Sequence, residues 1–212
     1  MSSAQHNRRR RGELTRDEIV TAALAIIDAE GLDALTMRRL AGEIACGLTT
    51  LYSHVWDRGD LLNGVVARVL AEIDFRYIEG DTWADVLLRA SNAYRSMAQR
   101  HPHAFALVAA SPVDRPPVVD HLFRATEVLV KTGISTESAF ELLAVNDAFA
   151  TGLFVTDAAT KAPASSASPR DVQTALGETQ MRFRDYAGDR IWEQGMKMII
   201  AGAQLTLGLP PV

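Results

Sequence analysis

Leu35-Thr36-Met37-Arg38-Arg39-Leu40-Ala41 leads through Gly42-Glu43-Ile44 to a tight Ala45-Cys46-Gly47 turn, and Leu48-Thr49-Thr50-Leu51-Tyr52-Ser53-His54-Val55 follows. Thr36 can cap a short helix that keeps Met37, Leu40, Ala41 and Ile44 on one face. A second short helix follows over about Leu48 to His54, with Leu51 and Val55 on its packing face. Upstream, Thr15-Arg16-Asp17-Glu18 has the spacing of a capping box. Ile19, Ala22, Ala23, Ile26 and Ile27 then recur at the helical period, and Gly31 stands where a helix C-terminus needs it. Three helices, with a three-residue turn between the second and third, make a helix-turn-helix.

The third helix opens, after Gly47, on Leu48, Thr49 and Thr50, a start suited to the floor of a major groove. A threonine hydroxyl donates or accepts at a base edge, and its methyl meets a thymine methyl. Tyr52 and His54 lie on other faces and can reach phosphates. Thr36 adds the free N–H groups of a helix start, with Arg38 and Arg39 just behind it. Each residue also has a plainer role. Thr36 is a cap, Tyr52 a core-edge aromatic, His54 a partner for the helix C-terminus, and the arginines a solvated surface. Cys46 reads as a small apolar plug in the turn.

Together with Arg58-Gly59-Asp60-Leu61-Leu62, these segments resemble the DNA-binding signature of the TetR family of transcriptional regulators across about residues 15–70. The resemblance implies DNA contacts at or near Thr36, Arg38, Leu48, Thr49, Thr50, Tyr52, His54 and Arg58, with Tyr52, His54 and Arg58 meeting the backbone. Ala45 stands where the family usually has glycine, and Trp56 is bulky at a commonly polar position. Gly47 and Leu48 open the recognition helix, so base preference cannot be carried over.

The remaining sequence sets the bounds. The 212 residues are 48% hydrophobic and 23% charged, enough for a full core without disulfides or metals. A single cysteine points to a reducing cytoplasm. No apolar run reads as a signal peptide or a bilayer span. The net charge is −4, yet Arg8, Arg9, Arg10, Arg11 and Arg16 fall within sixteen residues that hold one acid, Glu13. A local basic arm suits an anionic polymer or a solvated tail.

The expected fold is all-α. A three-helix head is joined by a long fourth helix, about Asp60 to Tyr77, to a C-terminal bundle, with about nine to ten helices in total. Further helices are expected from Thr82, over His101 to Ala109, Val118 to Lys131 and 136–157, then at about 170–186 behind Ser168-Pro169 and at 189–208. Ser111–Pro117 reads as a loop and 158–168 as a linker. The domain division is 1–14 for the arm, 15–60 for the helix-turn-helix and 61–212 for ligand binding and dimerisation.

Trp192-Glu193-Gln194-Gly195-Met196 is similar to the start of the last helix in TetR-family C-terminal domains. That helix is apolar nearly all round, as a helix buried on two faces must be. The resemblance implies a homodimer through 136–157 and 189–208, with half-sites about one DNA turn (~34–36 Å) apart in an inverted repeat. Polar residues interrupting apolar runs, with nearby aromatics, suggest an effector pocket drawing on Tyr94, Phe105, His121, Phe123, Asn146 and Phe149. His101 and His103 lack a nearby carboxylate in sequence and read as structural. No catalytic constellation, metal site or cofactor motif is present in the sequence. The expectation is a ligand-responsive regulator, by family a repressor, that leaves a palindromic operator when a small molecule binds. An architectural DNA binder without a ligand and a helical-bundle enzyme are the alternatives.

Overall fold

A computed structural model describes residues 14–161 and 188–212. The arginines Arg8 to Arg11, the Ser168-Pro169 cap and the helix expected at 170–186 lie outside the described residues. Within them there are nine α-helices, one 3-10 turn and no strand. The chain forms two compact units. The first holds residues up to Asp74 together with Ser96–Phe123. The second holds Phe75–Arg95 and the residues from Arg124.

The first unit is organised on α1 (Arg16–Glu30). Thr15 caps it with the full capping box: Glu18 N–H donates to the Thr15 hydroxyl, and Thr15 N–H donates to the Glu18 carboxylate. Gly31 ends the helix at φ 86°, where a side chain would be strained. The buried face of α1, with Ile19, Ala23 and Ile27, packs against the 3-10 turn Leu32–Ala34, α2 (Met37–Glu43), α4 (Arg58–Leu70) and α6 (Pro102–Ala109). α3 (Leu48–Tyr52) packs on α2, and α4 also meets α6. His101, just before α6, lies with Nδ1 2.6 Å from Asp28 Oδ2 and Nε2 3.0 Å from Glu72 Oε1. Arg100 also reaches Glu72. Both carboxylates lie far from His101 along the chain, 73 and 29 positions away, so only the fold brings them to it.

The turn after α2 is a Schellman motif. Cys46 N–H donates to Ala41 O at 2.9 Å, and Ala45 N–H donates to Gly42 O at 3.2 Å. The motif needs a left-handed residue, and Ala45 supplies it at φ 53°. Among the described residues it is the only non-glycine at positive φ. The turn thus keeps the geometry a glycine would give, at a cost in backbone strain.

The second unit gathers most of α5 (Trp83–Arg100), the later part of α7 (Pro116–Val130), α8 (Thr136–Lys161) and α9 (Asp189–Thr206). Thr82 and Asp85 cap α5 reciprocally. Trp83 is buried, and its indole N–H donates to Pro210 O at 3.0 Å. α9 packs on α8 at Gly195, where a Cβ would clash with the edge of the Phe149 ring.

Several boundaries differ from expectation. The fourth helix stops at Leu70 rather than Tyr77, because the chain beyond it is held by tertiary ties: Glu72 by Arg100 and His101, and Arg76 O by Arg89. α3 ends at Tyr52, where the Ser53 hydroxyl donates to Thr50 O at 2.7 Å. Pro116 and Pro117 are not loop but the first turn of α7, where no backbone donor is needed. α8 runs on through 158–161, into the segment expected as a linker. Over Thr136–Thr156 α8 is also long and apolar enough, by length and composition, to cross a membrane, which corrects the reading of short apolar runs. It nevertheless carries Glu137, Glu141, Asn146 and Asp147.

Two substitutions test this packing. Gly195→Ala forces the Phe149 ring aside and should cost about 1–3 kcal/mol, a fall of roughly 2–10 °C in Tm. Gly42→Ala, with no neighbour within 4 Å of its added Cβ, should be neutral or stabilising. Equal melting temperatures for the two variants would refute the close approach at Gly195. Ala45→Gly relieves the left-handed strain and should gain roughly 0.5–1 kcal/mol in urea unfolding. A loss on that substitution would mean the turn does not hold this conformation.

Candidate nucleic-acid interface and effector site

α3 is only five residues long, and its orientation comes from two buried anchors, Leu51 and Val55. With those inward, Leu48, Thr49 and Tyr52 face solvent, and Thr50 and His54 are half-buried. Thr36 is exposed, and its hydroxyl accepts the Arg39 N–H at 3.1 Å. Arg38 is exposed, whereas Arg39 is tied to Glu30, with Nη1 2.7 Å from Oε2. The Arg39 hydrogen bond holds the Glu30 carboxyl below its ordinary value. Desolvation pushes the Cys46 thiol up, away from the reactive thiolate.

Arg58 is exposed and also has partners within the chain. Its guanidinium turns back onto the carbonyls of the 3-10 turn, donating from Nε to Leu35 O at 3.4 Å and from Nη2 to Leu32 O at 3.3 Å. Beside it a brace joins α1 to the start of α4. Asp57 accepts the Asp60 N–H at 2.8 Å, so it caps α4. Asp60 in turn accepts the Trp56 N–H at 3.0 Å and Arg16 Nη2 at 2.6 Å. Burial alone would raise Asp60, but the Trp56 N–H and Arg16 outweigh it and keep the carboxyl below its ordinary range. The pair lies 44 positions apart, and only the fold reveals it.

In the second unit Tyr94, Asn146 and Phe149 share a layer of polar groups and rings. Ser91 Oγ donates to Asn146 Oδ1 at 3.0 Å, and the Tyr94 hydroxyl lies 2.8 Å from Thr151 Oγ1. Trp192 Nε1 donates to Asn92 Oδ1 at 3.0 Å. Its ring stacks with Phe149 and Phe154 at centroid distances of 5.9 and 5.5 Å, and Arg95 lies 5.6 Å above it. Burial drives the Tyr94 phenol well above its ordinary value, so it stays neutral. Asp147, hydrogen-bonded to Thr151, is also raised by desolvation. Hydroxyl and amide groups set against stacked rings suit recognition of a small molecule. Ser91, Thr151 and Trp192 join this layer, and the sequence does not mark them as ligand contacts. The other three expected lining residues belong to the first unit: Phe105 in its core, His121 buried and Phe123 exposed. Among the described residues no group of His, Cys, Asp and Glu is arranged to hold a metal.

No family model matches the chain. It is 33% identical over 103 residues to an HTH-type transcriptional regulator of Saccharopolyspora erythraea. It is 29% identical over 140 residues to the HTH-type transcriptional repressor DrrR1 of Streptomyces coeruleorubidus. These matches span 44% and 52% of the two relatives, about half the length of each. Crystal structures of ActR from Streptomyces coelicolor extend the likeness to nearly the whole chain. Apo ActR has a TM-score of 0.74 at 29% identity, covering 92% of this chain and 97% of ActR. The TetR family protein ActR in complex with (S)-DNPA has a TM-score of 0.68 at 30% identity, covering 91% of this chain and 98% of ActR. A helix-turn-helix head on an all-helical body, matched at this identity over this length, places the chain in the TetR family of transcriptional regulators.

Proposed function

We propose that the chain is a ligand-responsive transcriptional repressor that binds a palindromic operator as a homodimer and is released by a small-molecule effector. The observation that carries this reading is the two-sided third helix: Leu51 is buried for support, while Leu48, Thr49 and Tyr52 stand free at the protein surface. Residues 15–60 are the reading head, and 61–212 bind effector and partner. Leu48, Thr49 and Thr50 meet base edges, while Thr36, Arg38, Tyr52 and His54 meet the sugar–phosphate frame. Arg58 contributes chiefly by holding the 3-10 turn and the start of α4.

The homodimer reading draws on apolar surface that a single chain leaves in water. On α9, Gln194, Met198, Ala201 and Leu205 are exposed at helical spacing, Leu205 by 86% and Met198 by 64%. On α8, Phe140, Val145 and Val155 are exposed too, and 22% of the most apolar stretch is buried. Two such helices from each of two copies make a four-helix interface. The same apolar character that would suit a bilayer suits that interface, which favours a protein that acts in the cytoplasm.

The effector reading rests on the Tyr94, Asn146 and Phe149 layer and on ActR, which has been crystallised in complex with actinorhodin and with (S)-DNPA. α5 carries Tyr94 and continues into Arg100 and His101, which grip Glu72 after α4 and Asp28 on α1. An effector that favours one position of α5 shifts the populations of the head through this tie.

Selection of random duplexes by the purified protein at near-physiological salt should enrich an inverted repeat. Binding without enrichment, fading with salt, would instead favour an architectural DNA binder. Leu205→Lys should yield a monomer in sedimentation and weaken binding to the full repeat by at least about a hundredfold, while a half-site is affected little. A dimer that survives Leu205→Lys would refute the assigned interface.

A further inference from the structure

Trp56 is the anomaly of the first unit. Its side chain is 91% exposed, whereas the other two tryptophans, Trp83 and Trp192, are 2% and 3% exposed. A large aromatic held in water marks a surface that another molecule covers. The backbone beneath it is braced. Trp56 N–H donates to Asp60 Oδ2, and Asp60 is tied to Arg16 of α1. The indole is therefore presented from a fixed bend. It follows the third helix, which leaves Leu48 and Tyr52 exposed as well.

We propose that Trp56 is a contact to the DNA backbone: its indole packs on deoxyribose at the edge of the major groove, and its Nε1–H donates to a phosphate oxygen. The inference rests on α3 being the helix that reads DNA. The chemistry favours a duplex as occupant. Indole N–H is a donor without an acceptor, and phosphate oxygens only accept. The two acids beside it are turned to protein donors, Asp57 to the Asp60 N–H and Asp60 to Arg16 and Trp56. A second copy of the chain has its own apolar surface on α8 and α9. Contacts of this kind position a head without reading sequence, so Trp56 adds affinity and register rather than base preference.

The test uses the full-length protein and the duplex it enriches from a random pool. Trp83 and Trp192 are buried, so acrylamide quenching of the free protein reports chiefly on Trp56. Quenching should fall when the duplex is added. Trp56→Ala should leave the melting temperature unchanged and bind the duplex roughly ten- to thirtyfold more weakly. The salt dependence should be nearly unaltered, since a neutral donor releases no counterion. Trp56→Phe should recover part of the loss. If the duplex binds but quenching and Trp56→Ala affinity do not change, the contact is refuted and the role of α3 stands. If quenching falls with protein concentration alone, a second copy covers Trp56 and the contact is again refuted. If no duplex is enriched, the reading of α3 fails, and the contact fails with it.

Discussion

Helices of seven and five residues do not persist in water, because nucleating a helix costs more than so few hydrogen bonds return. α2 and α3 therefore exist only through what they bury. Leu40 and Ala41 turn α2 inward where it packs on α1, and Leu51 and Val55 turn α3 inward where it packs on α2. α1 is the body on which this head is assembled, and it is also what α4 and α6 pack against. The approach of α4 is close: a Cβ on Gly64 would come within 2.7 Å of Val20 Cγ2. A reading surface carried on such short helices is only as rigid as this buried layer, so its geometry is set by α1 rather than by α3 itself.

The charged residues of the head serve this scaffold more than its outer face. Arg39 is engaged by Glu30, Arg68 by Asp17, Arg16 by Asp60, and Arg58 by two carbonyls. Exposed pairs of this kind add little stability each, but they fix where neighbouring backbone segments lie. Arg58 closes the 3-10 turn against the start of α4, and Asp60 holds the bend before it. What α3 turns outward is a mixed surface of hydroxyl, aromatic and aliphatic groups. Specificity of the kind proposed here would come from shape and hydrogen bonding at base edges, with charge supplied by fewer side chains than the arginine count suggests.

The features legible in the sequence are those that depend on near neighbours in the chain. The Thr15 capping box, the Thr36 cap, the Gly31 stop, the start of α6 at His101-Pro102 and the positions of α3 and α9 all follow from spacing within a few residues. The family resemblance is local in the same sense. What could not be read depends on distant partners. α4 stops at Leu70 because residues beyond it bond to Arg89, Arg100 and His101. Arg58 looks like a free cation until Leu32 and Leu35 are folded against it. His101 and His103 have no acid close by in the chain, yet His101 meets Asp28 and Glu72 from 73 and 29 positions away. The aromatic layer was half legible. Phe149 could be picked out by type, whereas Trp192 and Asn92, 100 positions apart, are joined only by the fold.

Gly195 ties these strands together. In sequence it is one residue of a short motif at the start of the last helix. In the structure it is the gap that admits the Phe149 ring, and Phe149 in turn stacks on Trp192, three positions before that glycine. α8 and α9 are thereby locked at a distance no larger residue permits. Phe140, Val145 and Val155 of α8 and Met198 and Leu205 of α9 stay exposed, and the polar groups of the layer turn toward one another: Ser91 to Asn146, Tyr94 to Thr151, Trp192 to Asn92. The same pair of helices thus carries exposed apolar side chains and, at their contact, stacked rings beside hydroxyl and amide groups. α5 contributes Ser91, Asn92 and Tyr94 to that layer.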